Sequence, residues 1–204
     1  MTATKMTRLL LALAALALVT TSAGAAPSKP VVAGGCRVHA QASIAPGLTL
    51  TAQDFTYHYT GKLTGCAYTR KSAPTSGVIT AGETIRIKGK TYQEPTPTAN
   101  GTCLTTTSSG YDFARWSDGT QTVVKFTTAS GDGATHLTGS VVPSMVLKTV
   151  DGTSSTTFRT TRFADQVVVG RLIFAARDPS LCTTTGLTSA GITGLLGHVG
   201  DRNL

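Results

Sequence analysis

The side chains of this chain that could do chemistry include four histidines and ten acids, and their spacing marks no reaction centre. His39, His58, His136 and His198 lack a neighbouring acid and nucleophile in sequence, so each reads as part of a polar strand face or loop, with a triad built from distant positions left open. A nucleophile elbow needs Gly-x-Ser-x-Gly on a strand-to-helix turn, and the sequence contains neither that motif nor the helix pattern. Eight of the acids are aspartates. Asp118, Asp132 and Asp151 each precede glycine, where aspartate shapes turns, and no Asp-x-Asp calcium loop accompanies them. A glycosidase carboxylate pair stays open but unmarked. No catalytic residue is assigned.

Cys36, Cys66, Cys103 and Cys182 are even in number, which in an oxidising compartment reads as two disulfides. Three connectivities exist, and the expectation is Cys36 to Cys66 and Cys103 to Cys182, because sequential pairing closes two independent loops. Each bond would stabilise by about 3 to 5 kcal/mol on the chain-entropy argument. The zinc reading is weak, since Cys-x-x-Cys is absent and His39 has no second local ligand pair. No metal and no cofactor is expected.

Two alternating segments and one tryptophan are the binding candidates. In Phe55-Thr56-Tyr57-His58-Tyr59 the aromatics share one strand face, which is either core or a carbohydrate-stacking platform built on Tyr57 and Tyr59. In Thr84-Ile85-Arg86-Ile87-Lys88-Gly89-Lys90, read as one strand, Arg86, Lys88 and Lys90 share a face: a solvated or edge-protecting surface, or a site for an anionic polymer. Trp116, before Ser117-Asp118-Gly119, is a hairpin-end packing residue or a ligand platform. Asn100-Gly101-Thr102 is a formal glycosylation sequon in a loop.

The address is clearer than the chemistry. Lys5 and Arg8, then the apolar run from Leu9 to Val19, then Ala23-Gly24-Ala25 form a secretory signal peptide with the cut expected before Ala26. The run of 11 residues is too short to span a bilayer, so no integral membrane span is expected in the mature protein. Cys36 is no lipobox cysteine, because Pro27, Lys29 and Pro30 separate it from that run. Removal of residues 1–25 lowers the net charge from +8 to +6 and leaves one domain, 26–204. The basic residues are scattered, without the clustered cations and aromatics of a nucleic-acid site, so no nucleic-acid partner is expected. An anionic cell-wall polymer or a glycan suits them better.

The elements that must position these residues are strands. Threonine, valine and glycine dominate, with period-two alternation and almost no helical recurrence, which predicts an all-β antiparallel sandwich or barrel, preceded by the cleavable signal-peptide helix. Expected strands are 37–43, 54–62, 84–92, 103–108, 120–128, 135–142, 144–150, 156–162, 166–175 and 192–199. Pro95 to Gly101 is the clearest loop, expected to divide a smaller N-terminal part from a C-terminal meander.

Cys103-Leu104, Trp116-Ser117-Asp118-Gly119-Thr120, Leu137-Thr138-Gly139-Ser140-Val141, Leu181-Cys182 and Thr188-Ser189-Ala190, with the earlier Cys36, Ala45-Pro46-Gly47-Leu48-Thr49 and Cys66, carry a likeness across nearly the whole mature chain. It resembles an uncharacterised group of small secreted actinobacterial β-proteins with two disulfides. The resemblance implies a scaffold and assigns no functional residue. Three classes follow: a non-enzymatic secreted β module, structural or ligand-binding; a secreted hydrolase with a dispersed site; and a protease inhibitor with a disulfide-held loop. A concave site gathering titratable residues from separate strands would favour the hydrolase.

Overall fold

The computed structural model describes residues 31–69, 72–131 and 133–200. The expected signal peptide, its helix and its cut before Ala26 lie outside the described residues, as does Asp132.

Alternation of inward apolar and outward polar residues makes the long strands, and the chain closes them into an antiparallel barrel of eight positions. In ring order these are β1 (Val31–Leu48), β13 (Leu187–Gly200), β12 (Val167–Ala175), β9 (Ala134–Val142), β8 (Gln121–Gly131), β7 (Thr106–Trp116), a shared position, and β2 (Gln53–Tyr68), which pairs back onto β1. The shared position is filled by β3 (Gly77–Ala81) along one half and β6 (Thr98–Gly101) along the other, each bonded to both β2 and β7. Closure satisfies every edge, which settles sandwich against barrel in favour of the barrel.

A second, four-stranded antiparallel sheet runs β11 (Ser155–Arg159), β10 (Ser144–Thr149), β5 (Lys90–Gln93), β4 (Thr84–Ile87). It covers the outward apolar residues of β7 and β8: Phe113 and Val123 pack with Ile85, Tyr92, Leu147 and Phe158. Phe113 and Phe158 meet edge to face at 5.3 Å between ring centres.

Three expectations need correction. The segment 84–92 is a hairpin, because Lys88 (φ 47°) and Gly89 (φ 82°) form the two left-handed positions of a tight turn between Ile87 and Lys90. That turn reverses the alternation: Lys90 lies opposite Ile87, on the sheet face of Ile85 and Tyr92, so it does not share a face with Arg86. The loop at 95–101 contains β6, and it stitches β2 to β7 where it was expected to divide the chain. The strand expected at 103–108 instead runs from Thr106 to Trp116.

Both expected disulfides are present. Cys36 to Cys66 joins the paired strands β1 and β2, and Cys103 to Cys182 ties the β6–β7 connection to a 3-10 helix, Pro179–Thr183, that precedes β13.

Candidate functional site

The inward faces of β2, β7 and β8 bring together the polar side chains that the sequence kept apart. From β2, Phe55, Tyr57 and Tyr59 point into the barrel and all are buried, so this aromatic face is interior and not a surface stacking platform. Tyr59 Oη donates to the buried Asp112 carboxylate on β7. Tyr57 Oη meets Ser108 Oγ at 2.8 Å, and Ser108 Oγ meets Thr128 Oγ1 of β8 at 2.6 Å. Beside this chain of hydroxyls lies a void of about 20 Å³, lined by Val38, Ile79, Leu137, Leu172 and Leu196 among others, with half-exposed Phe174 at its rim. That volume holds about one water molecule. The polar groups satisfy one another, and eight strands leave an interior just wide enough for side chains.

Burial dominates the electrostatics here. It pushes the Asp112 carboxyl up to about 7, helped by the charge of Glu94 and opposed by the Tyr59 hydrogen bond. Glu94, completely buried at the end of β5, accepts from Thr80 Oγ1 at 2.6 Å and from the Glu83 backbone N–H at 3.2 Å; burial carries it to about 7 as well. Thr80 faces outward from β3, so the two carboxyls flank the barrel wall, Asp112 within and Glu94 without. Burial raises Tyr57 and Tyr59 above the ordinary phenol range.

The opposite end of the barrel is stoppered by aromatic rings. Phe163, held at φ 60° in the β11–β12 connection, stacks on His198 at 4.3 Å and meets Trp116 edge-on at 5.3 Å. Trp116 Nε1 donates to Thr122 Oγ1 at 2.8 Å, and Thr122 Oγ1 donates to the Arg162 carbonyl at 3.0 Å. Trp116 is therefore an inward packing residue. His198 is buried with Nδ1 unpaired, and burial lowers it to about 4, which keeps the imidazole neutral.

On the outside, Arg86 and Lys88 are exposed on the β4–β5 hairpin, and Lys90 Nζ donates to Ser154 Oγ at 3.1 Å. His58, which has no acid beside it in sequence, gains one from the fold: its Nδ1 lies 2.8 Å from Glu83 Oε1 on the surface. No hydroxyl nucleophile joins that pair among their hydrogen bonds. Asp118 and Asp151 have the turn role expected of them, each carboxylate accepting from a backbone N–H and a hydroxyl two residues on, Thr120 and Thr153 respectively. A groove of about 660 Å³ opens beside β6, lined in part by Pro46, Asp54, Asn100 and Thr107, with Asn100 Nδ2 donating to Asp54 Oδ1 at 2.7 Å. The sequon asparagine thus sits in β6, engaged with Asp54. Among the described residues no group of three or more His, Cys, Asp or Glu side chains gathers at metal-binding distance. Among the same residues no helix is long and apolar enough to cross a membrane.

The two buried carboxyls escaped the sequence reading. Asp112 shares the parity of Ala114 and Trp116, a signal that would have placed it inward had the strand been drawn through Tyr111 to Trp116. Glu94 gives no local sign, since its burial depends on Thr80 and on the packing of the small sheet.

No family model matches this chain, and no curated protein and no solved structure matches it either.

Proposed function

We propose that the mature chain is a secreted, disulfide-stabilised, non-enzymatic β module that binds through its outer surface, with the exposed Arg86 and Lys88 of the β4–β5 hairpin directed at an anionic cell-wall polymer or acidic glycan. The carrying observation is the division of chemistry between inside and outside. Tyr57, Tyr59, Ser108, Asp112 and Thr128 are turned inward and paired with one another around about 20 Å³, whereas the hairpin presents its cations to solvent. That interior void is about fifteenfold too small for a substrate, and the groove of about 660 Å³ beside β6, which is large enough, is lined by a single carboxylate, Asp54, and no histidine. The even cysteine count and the two bonds it forms suit an extracellular setting.

A co-sedimentation assay with cell-wall preparations tests this reading. Purified protein should bind in a salt-sensitive manner, and Arg86→Ala with Lys88→Ala should weaken binding about tenfold. Unchanged binding in that double variant would defeat it, as would turnover of glycosidase, esterase or peptidase substrates abolished by His58→Ala, because His58 with Glu83 is the one imidazole–carboxylate pair among the described residues.

A further inference from the structure

The small sheet covers the β7–β8 wall of the barrel, and among the described residues no second sheet covers the wall across the ring from it, β12–β13–β1. Its outward residues are nevertheless of the kind that the small sheet buries. Val167, Val169 and Ile173 alternate outward along β12, and Leu195 stands outward from β13; Leu195 is 61% exposed and Ile173 48%. In a β-barrel wall that faces only water, these positions would be polar, as the outward His136, Thr138 and Ser140 of neighbouring β9 are.

The charges around this apolar group have one sign. Leu195 is the direct cross-strand neighbour of Arg171 on one side and of Arg37 on the other, so a leucine sits between two arginines in one row. In the adjoining row Ile173, Thr193, His39 and Lys62 follow one another across β12, β13, β1 and β2. His136 of β9 lies beside Arg171. No aspartate or glutamate occurs anywhere in β1, β9, β12 or β13. The acids nearest in sequence are Asp201, directly after β13, and Asp132, two residues before β9, both outside the described residues, then Asp165 and Asp178 in the connections at the two ends of β12; Asp178 is occupied capping the 3-10 helix.

We infer that this wall is a docking surface for an anionic lipid bilayer, on which the barrel lies with β12, β13 and β1 toward the headgroups. Arg37 and Arg171 meet the phosphates, each adding attraction to a negative surface, while Leu195, Ile173 and the valines enter the boundary with the acyl chains. The apolar residues decide between a bilayer and a soluble polyanion, since a polyanion would gain nothing from them. A second copy of the chain is disfavoured because it would bring Arg37 and Arg171 against like charges. This inference goes beyond the hairpin reading and uses the opposite side of the molecule, so the two stand or fall separately.

Vesicle co-sedimentation tests it, with phosphatidylcholine alone or mixed with phosphatidylglycerol. The protein should bind the mixed vesicles and leave the neutral ones. Arg37→Ala with Arg171→Ala should weaken that binding about thirtyfold, roughly fivefold per arginine. Leu195→Thr with Ile173→Thr should weaken it too, while Arg86→Ala with Lys88→Ala should leave it unchanged. Arg37→Gln with Arg171→Gln replaces the alanine pair if that pair fails to fold, as judged by circular dichroism. Absence of binding to mixed vesicles, or binding that survives the arginine variants, would overturn the inference. Binding lost with the arginines but intact in the Leu195/Ile173 variant would assign the wall to a soluble polyanion and overturn the bilayer. Cell-wall binding through the hairpin with no vesicle binding would overturn this inference alone.

Discussion

At the scale of single residues, the unusual feature is a pair of carboxyls whose titration the fold moves up to neutrality. Asp112 and Glu94 both stand near 7 in the folded protein, against ordinary values of 3.8 and 4.5. Between those limits the folded state binds more protons than the unfolded chain, so their stabilisation is present at acid pH and lost as pH rises through about 7. His198 works the other way: neutral in the fold down to about 4, it gives up stability as pH falls below its ordinary 6.5. Two carboxyls outweigh one imidazole. Denaturant midpoints should therefore show the protein less stable at about pH 8 than at about pH 5, by on the order of 2 to 3 kcal/mol, with Asp112→Asn removing most of the difference because Glu94 alone is nearly offset by His198. Equal stability at the two pH values, or greater stability at the higher, would contradict the buried pair.

At the scale of elements, a strand of four residues completes the barrel. Where β3 ends at Ala81, β2 and β7 would be left with open edges, and β6 supplies the missing hydrogen bonds on both sides. Gly101 permits this. Its φ of +149° is one that other residues rarely adopt, and an added Cβ would lie 2.2 Å from the Thr105 carbonyl oxygen. Gly101→Ala should cost about 2 to 4 kcal/mol in urea unfolding, the range of strained backbone substitutions, and an unaltered midpoint would show that β6 does not need the glycine. The same elements mark where sequence reading succeeds and fails. Alternation placed β8, β9, β10 and β12 within a few residues and the start of β2 within one, because each is half buried and writes its two faces into the chain. Thr98-Ala99-Asn100-Gly101 has the composition of a turn and is a strand only because two neighbours need its backbone. Ser108-Ser109-Gly110 likewise concealed the middle of β7. Closure itself rests on β1 pairing with both β2 and β13, a long-range fact that no local period encodes.

At the scale of the whole molecule, the barrel is a solid core with two differently dressed walls. One wall carries the small sheet and its cationic hairpin, the other the acid-free surface of β12, β13 and β1. The sequence revealed the chemical types of the candidate residues but not their side of the wall. Tyr57, Tyr59 and Trp116 were legible as aromatics on alternating strands, and only closure of the ring showed that their common face is the inside. Arg86 and Lys88 were legible as exposed cations, and the turn that separates Lys90 from Arg86 was hidden in Lys88-Gly89. The central claim, an interior that stabilises and an exterior that binds, is tested most directly by Tyr57→Phe with Tyr59→Phe, assayed at once for thermal midpoint and for cell-wall binding. Loss of the two hydroxyls leaves Asp112 and Ser108 short of a partner, at a cost of about 1 to 3 kcal/mol each. The account predicts a midpoint lowered by roughly 4 to 24 °C with binding unchanged under conditions where the variant is folded. An unchanged midpoint with binding abolished would contradict it, and would place the ligand inside the barrel.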